Sequence, residues 1–119
     1  MSYDPLSEVS DEPLLITEET IRRLEVFRAS SKFTQLPGEN TAAEKKRLDA
    51  AIDVILDALI AGIRRNPSKL WVLTQFQPVL DSLYGEDSEA KEHFGSHLGM
   101  VMDILSIESS DGLLGHYLY

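Results

Sequence analysis

His93 and His97 stand four residues apart, with Glu89 four residues before His93. On a helix that spacing sets two imidazoles and a carboxylate on one stripe, the arrangement a helical zinc site uses. The glutamate of the His-Glu-x-x-His hydrolase motif is missing, so the chemistry offered is metal holding rather than hydrolysis. Only His116, folding back from the tail, suggests itself as a further ligand. The plainer reading is preferred: surface histidines at the rim of an apolar stripe, and no cofactor. Gly95-Ser96-His97-Leu98-Gly99 looks faintly like a hydrolase elbow, but its serine is off centre and inside a helical segment. Ser96 and His97 are neighbours pointing about 100° apart on a helix, which places His97 badly as a base for the serine. No catalytic residue is predicted.

Asp49, Asp53 and Asp57 form a second pattern, again at steps of four. Like charges at that spacing cost a few tenths of a kcal/mol per pair. Lys45 and Lys46 relieve only the first of them. A solvated outer face is the commoner explanation. The functional one is an acidic stripe that receives lysines or arginines from a partner. Glu86, Asp87, Glu89 and Glu92 make a second acidic group, and Tyr117 and Tyr119 are amphipathic anchors of the kind enriched at interfaces. Asp81, Asp103 and Glu108 are scattered and suggest no acid–base geometry.

Helices must position all of these. Leu48, Ile52, Ile55, Leu59 and Ile63 share one face of a long helix over 41–66, with Thr41 and Glu44 as a capping box and Pro67 as a stop. Thr17 caps an earlier helix carrying Ile21, Leu24 and Phe27, from which Arg22, Arg23 and Arg28 point outward. Residues 31–40 form a loop with a Pro37-Gly38 turn, under which Phe33 and Leu36 are tucked. Ser68 caps a helix over 68–84, and Pro78 inside it implies a kink or break near 74–77. Asp87 caps a fourth helix whose core face is Ala90, Phe94, Leu98, Val101 and Leu105. Gly95 and Gly99, one turn apart, mark close approach by another helix. Ser110 or Asp111 caps a last short helix containing Leu113, Leu114, Tyr117 and Leu118. The fold class is all-α: a small bundle of four to five helices with the long helix 41–66 central. Residues 1–13 read as an acidic, mobile arm, although Leu6 and Val9 have the means to dock, and 14–119 as a single helical domain.

The 119 residues carry a net charge of −9 and no cysteine. Thiol chemistry and disulfides are thereby excluded. Residues 1–19 hold six acids and no base, 20–85 seven acids and ten bases, and 86–119 seven acids and one base. Acidic ends around a mildly basic middle argue against nucleic acid, whose phosphates demand a continuous basic surface. No stretch approaches the roughly 20 apolar residues of a membrane span. Residues 1–13 have no apolar core segment and so do not read as a secretory signal, and a cytoplasmic location is expected.

Lys69-Leu-Trp71-Val-Leu-Thr-Gln75-Phe76-Gln-Pro78 and Met102-Asp103-Ile-Leu-Ser-Ile-Glu108-Ser-Ser-Asp111-Gly112-Leu-Leu-Gly-His-Tyr-Leu118-Tyr119 resemble a family of small bacterial domains of unknown function, over residues 40–119. That resemblance implies no catalytic residues. In general character the chain is also similar to bacterial immunity proteins, which neutralise a secreted toxin. The expected function is a non-enzymatic protein-binding module, in its concrete form an immunity-type inhibitor that meets a basic toxin with an acidic face. The alternative is a homodimeric structural or regulatory domain, with the Gly95/Gly99 face or the Tyr117/Tyr119 tail at its interface. The third reading is the histidine-based metal or small-ligand site.

Overall fold

The structure is a computed structural model that describes residues 3–30, 32 and 42–118. Five helices follow one another: α1 (Glu18–Ala29), α2 (Ala42–Gly62), α3 (Lys69–Ser82), α4 (Ser88–Ile104) and α5 (Leu113–Leu118). A 3₁₀ turn, Pro5–Glu8, precedes them. Among the described residues there is no strand; the one pairing is a β-bridge between Pro13 and Ser68. The all-α architecture is thus the one the periodicities dictate. No helix among the described residues is long and apolar enough to cross a membrane.

The helix starts are chemical. At α1, Thr17 and Thr20 exchange hydrogen bonds: each hydroxyl accepts the other's backbone N–H at 3.2 Å. This is a capping box with threonine in place of the usual glutamate. Ser68 Oγ accepts the Trp71 N–H at 3.1 Å, and Asp87 Oδ1 accepts the Ala90 N–H at 2.8 Å. Each bond satisfies a donor that the first turn of a helix leaves without a partner. Thr41 lies outside the described residues, as does the Pro37-Gly38 turn with Phe33 and Leu36. Helix α4 ends in a Schellman motif: Ile107 N–H returns to Met102 O at 2.8 Å and Ser106 N–H to Asp103 O at 3.1 Å. Ser106 adopts φ 60°, where glycine is the usual occupant.

Helix α2 is the hub, packing against α1, α3 and α4, while α5 closes over α3 and α4. Its buried face is Leu48, Ile52, Ile55, Leu56 and Leu59, and Ile63 follows just past its end. Leu24, Leu73, Phe76, Leu80, Phe94, Leu98 and Leu113 complete the core from the other helices. Burying each such side chain is worth ~1.5–3 kcal/mol, so this contiguous cluster is what holds the helices in place. α2 stops at Gly62, four residues short of the expected end, and its last residue meets α3 closely. A Cβ on Gly62 would lie 2.6 Å from Cζ2 of the Trp71 ring. α3 runs unbroken from Lys69 to Ser82 with Pro78 inside it, so no break occurs at 74–77.

The N-terminal arm is docked, not free. Leu14 N–H donates to Pro67 O at 2.8 Å, Lys69 N–H to Glu12 O at 2.9 Å, and Leu70 N–H to Asp11 Oδ1 at 2.9 Å. Leu6 and Val9 pack against the core, and Pro5 is buried. In the arm read from the sequence as mobile, Leu6 and Val9 do dock, and the backbone pairing with the start of α3 that accompanies them leaves no periodic trace.

Candidate functional site

The acidic row on α2 is closed from within the chain. Arg28, on α1, reaches Asp53 at 3.1 Å and Asp57 at 2.8 Å. Lys32 Nζ lies 3.2 Å from Asp49 Oδ1 and 3.0 Å from Asp53 Oδ1, with its side chain only 1% exposed. The same ammonium donates to three carbonyls at the C-terminal end of α1: Phe27 at 3.3 Å, Arg28 at 3.2 Å and Ser30 at 2.7 Å. An ammonium has three protons. Here they go to the carbonyls, and the two carboxylate oxygens, buried without a hydrogen bond of their own, are held by charge. Lys32 thus serves two purposes, supplying donors and positive charge at the negative end of α1 and countering the repulsion along α2. Arg28, read from the sequence as pointing outward, reaches across to α2, and Asp49, Asp53 and Asp57 meet cations of their own chain that fasten α2 to α1.

A second buried lysine secures the arm. Lys69 Nζ contacts Asp111 Oδ2 at 2.8 Å, and the same oxygen accepts the Ser10 N–H at 2.9 Å. The Lys69 hydrogen bond first, and then the Ser10 N–H, hold the Asp111 carboxyl below the ordinary carboxylate value. A carboxyl depressed in the folded state contributes stability above its unfolded value, about 4, and loses it as pH falls through the folded one. The tether is therefore intact at neutral pH and is released by acid.

The Glu86–Glu92 group disperses. Glu86 forms a forked pair with Arg47, both hydrogen bonds 2.9 Å. Asp87 is spent as the α4 cap, and Glu89 lies 3.8 Å from His93. His97 turns Nδ1 to the His93 carbonyl at 2.8 Å and stacks flat on Phe27, 6.3 Å between centroids. Among the described residues no three His, Cys, Asp or Glu side chains gather as a metal would require. The i,i+4 spacing of Glu89, His93 and His97 is present, but the side chains are not gathered as a group of three. The glycine expectation also changes. A Cβ at Gly99 would meet nothing within 4 Å, so no helix presses on it; Gly95 is buried.

Glu92 and Tyr117 come together. They face a cleft of about 880 Å³ between the end of α3, the start of α4 and α5, whose lining includes Asp81, Tyr84, Lys91 and His116. Asp81, in the last turn of α3, and Tyr84, just past its end, are both exposed. Tyr84 is 86% exposed, and Lys91 Nζ stands 5.7 Å from its ring centroid. The ring face is thus already one that takes a cation. Burial first, and the neighbouring Asp81 carboxylate besides, push the Tyr117 hydroxyl above its ordinary value, so it stays a neutral donor. Neither Asp81 nor Glu92 is in an ion pair among the described residues. Tyr119 lies outside those residues. As partner-binding residues the sequence pointed to Glu92 and Tyr117; His116 came up only as a metal ligand and Asp81 only as a scattered acid, and Tyr84 and Lys91 were not singled out. The available signal was the alternation of apolar and polar residues along Leu80-Asp81-Ser82-Leu83-Tyr84, which leaves an acid and a ring unburied at one helix end. A second groove of about 480 Å³, lined by Val26, Phe27, Met100 and Ile104 with Arg22, Arg23 and Asp103, is apolar and contains none of the expected site residues.

A family model described as a domain of unknown function, DUF4844, matches residues 15–119. Among solved structures, the crystal structure of a DUF3571 family protein from Acinetobacter baumannii AYE is similar, with 26% identity and a TM-score of 0.73. The match covers 84% of this chain and 88% of that one. No curated protein matches the chain.

Proposed function

We propose that the chain, which belongs to the DUF4844 family, is a non-enzymatic protein-binding module that takes a basic segment of its partner into the α3–α4–α5 cleft. One observation carries this. Among the described residues Asp81 and Glu92 have no ion-pair partner, and they stand among tyrosine rings, whereas the acids of α2 are countered by Arg28 and Lys32. Aromatic faces beside carboxylates recognise ammonium and guanidinium groups by charge and by cation–π attraction. The net charge of −9 adds long-range attraction for a basic partner. The immunity-type inhibitor is the special case in which that partner is a toxin with a basic site.

Fluorescence anisotropy of a labelled hexa-arginine peptide at low salt tests the cleft. Binding that weakens as salt rises, and is lost in Asp81→Asn with Glu92→Gln, is expected. An unaltered chain that leaves the peptide free would sink the proposal. The immunity form is tested by co-purification with the product of the adjacent gene and by protection of cells that express it. Failure of both removes that form.

A further inference from the structure

We infer that the docked N-terminal arm belongs to the recognition machinery, with Tyr3 and Asp4 as positioning residues for His116 and Tyr117. The inference rests on the cationic-segment reading of the cleft. The Tyr3 ring centroid is 5.4 Å from that of His116, the planes tilted by 52°. His116 stands edge-on to Tyr117 at 4.9 Å and 85°. Three rings are therefore in series, beginning on the arm and ending in the cleft wall. Tyr3 is 59% exposed, so it adds little to the core; its ring contact is with the cleft wall.

Asp4 acts through Gln77. The Gln77 amide donates to Asp4 Oδ1 at 3.1 Å and to the Tyr117 hydroxyl oxygen at 3.3 Å. A primary amide has two N–H groups, so one side chain serves both. With its oxygen engaged as an acceptor, the Tyr117 hydroxyl keeps its own proton for Asp81. The Asp4 charge adds to the negative field at Tyr117. Asp4 also accepts the Leu6 N–H at 3.0 Å and so caps the 3₁₀ turn, which fixes the backbone just after Tyr3. The root of the arm is fastened by Lys69–Asp111 and by the Ser10 N–H. Tyr3, Asp4 and Ser10 lie outside residues 15–119, the stretch that the family model matches, whereas Gln77, His116, Tyr117, Lys69 and Asp111 lie within it. The helical body supplies the carboxylates and the cleft-wall rings, and the arm sets the angle of two of those rings.

The same anisotropy assay on the full chain decides the point. Tyr3→Ala with Asp4→Ala should weaken hexa-arginine binding by about five-fold, with helical circular dichroism and melting unchanged. Tyr3→Phe with Asp4→Asn keeps a ring and an acceptor, and should restore most of the affinity. Gln77→Leu removes the hydrogen bonds to both Asp4 and Tyr117 while leaving the Asp4–Leu6 cap and the Ser10–Asp111 bond in place, and should act in the same direction. Unchanged affinity in both the alanine pair and Gln77→Leu overturns the positioning role. Tighter binding by the alanine pair also overturns it, since the arm would then be an obstruction. If the unaltered chain fails to bind, the reading of the cleft fails first and this inference with it.

Discussion

The Asp49–Asp53–Asp57 row and the Asp81–Glu92 pair share one chemistry and differ in setting. The first faces α1, where Arg28 and Lys32 reach it, and Lys32 has almost no exposure. The second faces a cleft where Lys91 lies over a tyrosine ring and, among the described residues, in no ion pair. The row spends its charge on joining two helices, while the pair leaves its charge available to solvent or to a ligand. Density of acids along the sequence is therefore a poor guide to function in this protein. Whether the counter-charge comes from the same chain separates structural acids from available ones.

Several substitutions would break or sharpen that contrast. Lys32→Met should have the largest effect, about 3 kcal/mol of lost stability in urea unfolding, because it strands two partly buried carboxylates and three carbonyls. A loss below about 1 kcal/mol would make the row an ordinary solvated face after all. Gly62→Ala tests volume instead of charge at the other end of α2. Its Cβ would strike Trp71, and a loss of about 2 kcal/mol is expected. Trp71 is the single tryptophan, so its emission should shift as well. Asp57→Asn should cost only about 0.5 kcal/mol, since this outermost member of the row is 62% exposed. Asp81→Asn with Glu92→Gln should leave stability within about 0.5 kcal/mol while abolishing peptide binding. If that pair destabilised the fold as much as Lys32→Met, the two regions would no longer differ in kind.

The helices were legible because their signals are local and repeated. Thr17, Ser68 and Asp87 cap the helices they were expected to cap, and the apolar face of α2 is buried as its spacing dictates. Contacts between residues far apart in sequence were not legible. Lys32 sits in a stretch without period, and nothing in its neighbours points to Asp49 and Asp53. Lys69 and Asp111 are 42 residues apart, and the arm docks largely through backbone groups, which every sequence has. Glycine misled in both directions. Gly99 suggested a close helix where there is open space, and Gly62 gave no warning of the tryptophan against it. Of the cleft, Glu92 and Tyr117 were on the page. Their meeting depends on α5 folding back beside α3 and α4, which periodicity alone does not specify.

The Ser10–Asp111 hydrogen bond closes a loop of 101 residues. In kinetic terms such a contact forms late, because the ordering entropy of the intervening chain must be met by the helical core first. It should also be among the first to open from the native state, as a local event that leaves the helices intact. Amide exchange at Ser10 should then run ahead of exchange at Leu56 in α2, and acid should widen the gap by protonating Asp111. Equal protection at the two sites would mean that the arm and the bundle open as one cooperative unit.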